Sequence, residues 1–526
     1  MIKITAYQGA TVGVYGLGLS GLACVRALLA GGAQVLAWDD KQECRDEAAR
    51  MGAILYDFAA LGFDKTPQAS QTSQVLQALI VSPAVSLTHP APHPIIQAAR
   101  AANIPILGDM ALFAQAHAEF QAKFQAQAHA EFQAHANEPA PIIAITGTNG
   151  KSTTTALIAH LLNACGYDVQ MGGNIGKPVL DLMPPSKSGK TIYVLELSSY
   201  QIDLSPDFTP HIAILLNLSP DHIERHGDYA NYIAAKWQMF ENLPASAHAI
   251  IGIDGEKEAA LATQYVKQGK AHLHTIAGTA KPNATIYAKG TVLYDKTGAL
   301  ADFANIPTLQ GAHNLQNAAA SFAALCALNI PQEKLIAAFA DFPGLAHRLQ
   351  PVAQHQNIQF INDSKATNAE ATSKALAAFE NIYWIAGGQS KQGGIESLSS
   401  QFQHIRYAYL IGTAAEEFAF VLGENVPHKI AGTLDKAVPA AAQEAARAGG
   451  GVILFSPACA SFDQFDNFEM RGDAFCRLAE TCVIALAAQK NRNIPFNETF
   501  NETFNEISAD ISADISHAEN MGGGQK

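Results

Sequence analysis

Cysteine, positive charge and long apolar runs are all scarce in this chain, and each scarcity excludes something. Seven cysteines, at 24, 44, 165, 326, 459, 476 and 482, are scattered through 526 residues without a CxxC pair. Such spacing reads as reduced thiols in a cytoplasmic protein, not as a disulfide framework. Basic residues number 34 against 47 acidic ones, a formal net charge of −13, and no basic run occurs. Nucleic acid and anionic membranes are therefore poor partners, and positive groups will matter only locally, at phosphates. No run of 18 uncharged apolar residues is present, so membrane insertion is not expected. Met1-Ile-Lys-Ile-Thr likewise lacks the apolar core of a signal peptide. What remains is a chain 48% hydrophobic, long enough for about three domains.

The most informative stretch is Ala144-Ile-Thr-Gly147-Thr148-Asn149-Gly150-Lys151-Ser152-Thr153, which follows the apolar run Pro141-Ile-Ile. An apolar strand, a glycine loop, then lysine and a hydroxyl leading into a helical pattern describe a phosphate-binding loop. Gly147 and Gly150 let backbone N–H groups turn inward, and the helix N-terminus adds partial positive charge. Lys151 can reach terminal phosphates, and the Ser152 hydroxyl can hold Mg²⁺. The common NTPase pattern has a further glycine where this chain has Ile145, so the loop is a variant.

A second glycine loop lies upstream. Thr11-Val-Gly-Val-Tyr reads as a strand, followed by Gly16-Leu-Gly18-Leu19-Ser20-Gly21, a helix to Ala30, and Gln34-Val-Leu-Ala-Trp ending at Asp39. This βαβ unit with GxGxxG and an acid suits NAD, with Asp39 on the ribose. Any nucleoside diphosphate fits the same loop, so the ligand stays open. The unit continues through Ala78 to Ser82 and should end near 107. Residues 108–140 read as a linker, whose Ala-His-Ala-Glu-Phe-Gln-Ala repeat (116–138) is an inserted helical segment without chemistry. From 141 to 344 a second α/β domain is expected. One of its strands delivers Glu196, another delivers Asp221 and His222, and a helix near 228–242 carries Lys236. Residues 246–310 read as a β-rich excursion. A third α/β unit spans 345–490, and the Phe-Asn-Glu-Thr and Ile-Ser-Ala-Asp repeats of 491–526 read as a disordered tail.

A glutamate ending an apolar strand is costly without a cation, and Glu196 with Ser152 could share one Mg²⁺. Alone, His222 reads at least as readily as an ordinary structural histidine as it does as a ligand, and Lys236 reads as a surface lysine. Together with Gly172-Gly-Asn-Ile-Gly176, Leu197-Ser-Ser-Tyr-Gln201, His313-Asn314, His347-Arg348, Asn362-Asp-Ser-Lys-Ala-Thr-Asn368 and Ser456-Pro-Ala-Cys-Ala-Ser461, these motifs resemble the Mur ligase family. Its members are ATP-dependent amide-forming enzymes of peptidoglycan assembly. The resemblance runs from 11 to 485, outside the repeats and tail, and the C-terminal motifs look like those of D-glutamate-adding members.

The resemblance implies an α/β protein of three domains: Rossmann-like and UDP-binding, central P-loop with a parallel sheet, and Rossmann-like again. It implies UDP-N-acetylmuramoyl-L-alanine, D-glutamate and ATP as substrates, a monomer, and two Mg²⁺ ions. Gly18, Leu19, Ser20, Asp39, Ser82, Asn174 and His222 would serve the UDP substrate. Gly147 to Thr153 would hold ATP phosphates, with Asn314 and Asn317 at adenine, Asp363 at ribose and Arg348 at the γ-phosphate. Ser152, Glu196, His222 and a carbamylated Lys236 would ligate metal. Lys365, Thr367, Lys391, Ser461, Phe462 and Phe468 would line the D-glutamate pocket. Lys151, Glu196, His222, Lys236 and Arg348 would carry catalysis, by way of an acyl phosphate in a closed cleft. Two departures are Ala84, where a glycine is expected after Ser82-Pro83, and Gln389, where an acid is common after Gly387-Gly388. The rivals are an NAD-dependent oxidoreductase and a nucleotide-binding module, both of which leave most of these motifs unused. A folate–polyglutamate-type ligase should lack the N-terminal glycine unit.

Overall fold

Short β-branched and apolar runs, separated by helices, favour parallel pairing, because each helical crossover returns the chain to the end of the sheet at which the previous strand began. The computed structural model describes residues 1–61, 76–130, 140–186, 189–390, 394–488 and 504. It divides into two compact units, Met1–Pro343 and Gly344–Lys526.

The first unit carries two sheets. Strands β1 (Thr11–Tyr15), β2 (Gln34–Trp38), β3 (Ile54–Leu55), β4 (Ala78–Val81) and β5 (Ile106–Leu107) form a parallel sheet in the order β3-β2-β1-β4-β5. The central sheet uses β6 (Ile142–Thr146), β7 (Asp168–Gly173), β8 (Thr191–Glu196), β9 (Ile212–Leu215), β10 (His248–Gly252), β11 (His272–Ala277), β12 (Ile286–Lys289), β13 (Val292–Asp295) and β14 (Gly298–Asp302). Its order is β14-β13-β12-β11-β10-β9-β6-β8-β7, parallel up to β12 and antiparallel beyond. The expected β-rich excursion is thus an extension of the central sheet: β10, β11 and β12 join it in parallel, and only the last hairpin reverses. Strands β6, β8 and β9 are buried along their whole length, as strands covered by helices on both faces must be.

The segment expected as a linker is helical from Asp109 to Ala130, and its first half packs into the core. Met110, Leu112, Phe113 and Ala116 lie in the core shared by both sheets, and buried His117 places Nε2 2.8 Å from Ala140 O. The first copy of the repeat therefore begins inside the packed interior. His135 and most of the second copy lie outside the described residues.

The second unit holds β15 (Gln350–His355), β16 (Ile358–Asn362), β17 (Ile382–Gly387), β18 (Ile405–Ile411), β19 (His428–Gly432) and β20 (Gly451–Phe455). Their order is β15-β16-β20-β17-β18-β19, parallel except for β15. The helices Leu434–Arg447 and Phe468–Ala488 cover one face. All seven cysteines are free thiols.

Phe504 is a correction to the reading of a wholly disordered tail: it is 7% exposed and joins the same core as Phe475, Ala479 and Cys482. The rest of the tail lies outside the described residues. Phe504→Ala should cost the C-terminal unit about 3 kcal/mol, the lower end for emptying a buried phenylalanine site. Removing residues 491–526 should cost a similar free energy, read as a lowered denaturation midpoint. An unchanged midpoint in both variants would show that this contact contributes nothing.

Candidate active site

Strand β1 ends in the first glycine loop. At Gly16, φ is +86° and a Cβ would sit 2.7 Å from the Ser82 Cβ, while a Cβ on Gly21 would meet Gly16 O. Both positions need glycine for the fold itself. Gly18 does not: no atom lies within 4 Å of its would-be Cβ, and its φ is −66°. The open space lies over the N-terminus of the helix Leu19–Ala30, which no side chain caps. Free N–H groups and the helix dipole make that end a place for an anion. Asp39 is already engaged, accepting from Leu17 N at 2.6 Å and Lys41 N at 2.9 Å. It braces the loop in this state, whatever it does for a ribose. Behind the loop, buried Asp109 accepts from Met110 N at 2.9 Å, from Ser20, and from Gln201 Nε2 at 3.5 Å.

Three adjacent strands of the central sheet, β9, β6 and β8, bring their carboxyl ends to one edge. That edge is where ligands gather in open α/β sheets. From β6 comes the phosphate loop, with φ +145° at Gly147 and +86° at Gly150. The helix Lys151–Ala164 follows with no side-chain cap. Lys151 Nζ folds back on its own loop, donating to Gly147 O at 2.9 Å and Thr148 O at 2.8 Å. The loop is held from β9 by Asn217. Its carbonyl accepts from Thr148 N and its Oδ1 from Asn149 N, both at 2.8 Å, and its Nδ2 donates to Gln316 Oε1 at 3.0 Å. Ser152 is half-buried and Thr153 buried. Asn317 sits directly behind Gly150, where a Cβ would approach its Oδ1. Its Nδ2 donates to Asn314 Oδ1 at 3.3 Å, and Asn314 Nδ2 donates to Gln310 O at 3.0 Å. These two asparagines brace the loop in the structure.

From β8 comes Glu196, 3% exposed. Its Oε1 accepts from Asn174 Nδ2 at 3.0 Å, and its buried Oε2 has no partner. An orphaned carboxylate oxygen is costly, and a cation is what would satisfy it. Lys236 is 2% exposed; its Nζ donates to Gly147 O at 3.0 Å and Thr146 Oγ1 at 3.3 Å, and lies 4.7 Å from the Tyr232 ring centroid. Burial, helped by the charge of Lys151, pushes its pKa down to about 7. The lysine is therefore enclosed, not on a solvated face. His222 adopts φ +52° with its side chain 47% exposed, and its ring lies 5.0 Å from that of Tyr200. Its nitrogens lie 3.5 Å from Asp221 and 3.7 Å from Glu224. Among the described residues no three His, Cys, Asp or Glu side chains form a ready cage for a metal. A lone carboxylate oxygen with hydroxyls nearby still fits Mg²⁺, which keeps waters and takes ligands from substrate phosphates.

In the second unit, the loop after β16 carries Asp363, 4% exposed. It accepts from Ser456 Oγ at 2.7 Å and Leu349 N at 3.1 Å, and burial pushes its pKa up to about 7. Here it fixes the turn bearing exposed Arg348. Lys365 Nζ lies 5.4 Å from the ring centroid of Phe468, and Thr367 N donates to Lys365 O at 2.9 Å. Ser461 is buried, whereas Phe462 is 70% exposed. Gln389 and Ala460 exchange backbone hydrogen bonds at 2.9 and 3.1 Å, so the substituted position holds its loop through the main chain. Lys391 lies outside the described residues. Ala84, the other departure, sits beside Val85, whose carbonyl accepts from buried Arg225 at 3.1 Å.

Several contributors were not read from the sequence. Asn217 could have been, since it ends an apolar strand as Glu196 does. His226 (Nε2 2.9 Å from Ser199 Oγ), Tyr232 (Oη 2.9 Å from Thr148 Oγ1), Asp109 and Arg471 lie in helices and are brought in by distant contacts.

Comparison with known proteins accords with this geometry. Residues 145–325 match the Mur ligase middle domain, and 347–459 match the Mur ligase, glutamate ligase domain. The chain is 45% identical to the UDP-N-acetylmuramoylalanine--D-glutamate ligase of Nitrobacter winogradskyi, over 91% of this chain and 98% of that one. It is 47% identical to the ligase of the same name from Rhizobium etli, over 90% and 96%. Among solved structures, UDP-N-acetylmuramate-alanine ligase MurC from Thermotoga maritima aligns with a TM-score of 0.51 at 18% identity, over 90% and 99%, which speaks to the fold. With its P-loop edge, its three parallel-dominated sheets and relatives at this identity over nearly its full length, the chain belongs to the Mur ligase family.

Proposed function

We propose that the chain joins D-glutamate to UDP-N-acetylmuramoyl-L-alanine at the expense of ATP. The observation that carries this reading is the edge where Lys151, the unpaired Glu196 oxygen and buried Lys236 meet beneath one phosphate loop. The names of the similar ligases supply the substrates.

A carboxylate does not react with an amine at neutral pH, so the carboxylate of the alanyl substrate must first be activated. Its oxygen attacks the γ-phosphorus, the bond to ADP breaks, and an acyl phosphate forms. Lys151 leaves its two loop carbonyls to meet the phosphate charge, and the loop N–H groups braced by Asn217 hold the remaining oxygens. Ser152, Glu196 and His222 are the groups that would hold Mg²⁺, which neutralises phosphate charge when bound. The amine of D-glutamate then attacks the acyl carbon, a C–N bond forms, the amine loses its proton, and phosphate leaves. Lys365, Thr367, Ser461, Phe462 and Phe468 take the amino acid. The first glycine loop takes the uridine diphosphate at the open space over Gly18.

Lys236 is read as carbamylated. Its ammonium is buried with two neutral oxygens as hydrogen-bond partners and no described carboxylate in ion-pair contact. Addition of its neutral amine to CO₂, with loss of a proton, leaves an anionic carbamate, an oxygen donor of the kind Mg²⁺ takes. A cation beside a second cation is thereby replaced by a ligand.

Phosphate release by the purified chain should require the UDP substrate, ATP and D-glutamate together; release with NAD turnover or with another amino acid alone would refute the reading. Lys236→Ala should lower turnover by roughly 10²–10³-fold, the scale of losing one transition-state charge stabiliser. Its KM for ATP should stay within a few-fold, and added formate or acetate should restore part of the rate. A nearly silent Lys236→Ala would leave the lysine without a role. Calorimetry should show the UDP substrate, and not NAD, binding to the first glycine loop, and the reverse result would restore the dinucleotide interpretation.

A further inference from the structure

Arg471 is 1% exposed, and among the described residues its guanidinium makes four hydrogen bonds, none to a carboxylate. Nε donates to Ser364 Oγ at 3.1 Å, and Nη2 to Ser364 O at 2.9 Å and Cys459 O at 3.1 Å. Nη1 donates to Ala460 O at 3.1 Å. A Cβ on Gly388, where φ is +133°, would lie 3.1 Å from Nη1 and closer still to Ala460 O. One side chain thus touches the segments on which the amino-acid pocket is built. Ser364 precedes Lys365 and Thr367, Ala460 precedes Ser461 and Phe462, and Gly388 leads toward Lys391. The helix that carries Arg471 starts at Phe468, whose carbonyl accepts from Ser364 Oγ at 2.8 Å.

Burying a guanidinium among neutral carbonyls is expensive, and packing alone does not require it. A planar fork with five donors is the group that can fix several carbonyls at set distances, which a lysine cannot do. Its cost is visible, since burial depresses its pKa to about 10. Asp463 acts on this charge without a hydrogen bond to it, and the guanidinium lies behind the loops bearing Lys365 and Ser461, where its field would favour a substrate with carboxylates.

We propose that Arg471 is the positioning residue of the amino-acid pocket, setting the spacing of the Lys365 and Ser461 loops for an amino dicarboxylate. The inference rests on the D-glutamate reading given above. Arg471→Lys in the full chain keeps the charge and loses the fork. It should raise the KM for D-glutamate by about tenfold or more, the scale of one lost charge-assisted hydrogen bond. The KM for ATP and for the UDP substrate should move less than twofold. If the variant does not fold, Ser364→Ala removes only the Nε acceptor and its bond to Phe468 O, and should show the same selectivity at about threefold, less than one full hydrogen bond. An unchanged KM for D-glutamate, or an equal rise for all three substrates, would overturn the proposal. If the wild-type chain uses a different amino acid, the substrate reading fails while the KM shift is measured on that amino acid instead.

Discussion

Lys236 donates to the carbonyl of Gly147 from a position almost without solvent, and the geometry of the central site follows from that bond. Gly147 is where the phosphate loop leaves β6, so a buried amine is tied to the one segment that must present N–H groups to phosphate. Lys151 uses the same carbonyl from the other side. Burial, with the charge of Lys151 close by, pulls the Lys236 pKa down. Glu196, one strand over, has a buried oxygen without a donor. Positive groups crowd one side and an unsatisfied negative group stands on the other. The phosphates and cation of a nucleotide are what would reconcile them.

Reading the sequence went furthest where the chemistry is local. The phosphate loop, the glycine loop and Glu196 at the end of β8 are legible because strand, turn and helix follow one another within a few residues. The domain class follows from the same alternation. Partners separated by tens or hundreds of residues were not legible: Asn217 holds Asn149, Asp109 holds Gln201, and Arg471 joins Ser364 to Cys459. Such pairs carry no spacing signal, since the fold alone brings them together. Composition misled at two points. An Ala/Gln/Glu repeat can still begin in the packed interior, as Ala116 and His117 show, and a polar tail can still supply one core residue, Phe504.

The two units solve one problem in different ways. In the first, amide side chains back the phosphate loop as two separate pairs, Asn217 with Gln316 and Asn317 with Asn314, and Gln316 donates on to Asp254. In the second, a single guanidinium gathers the loops. The contrast suits the charge each side meets. A phosphate loop already offers backbone N–H groups and a lysine, so neutral braces suffice. A pocket for the amino dicarboxylate proposed above would gain from a fixed cation among its loops.

Gly18 separates two kinds of constraint that usually coincide. Gly16 and Gly21 are demanded by the packing of the loop against Ser82 and against itself, so a methyl group at either would be felt by the folded chain. At Gly18 the backbone is one any residue adopts, and no described atom contests the space. Selection acting through stability is blind to that position. A side chain placed there would be felt only by a molecule seated over the helix N-terminus, so a substitution at Gly18 separates binding from folding.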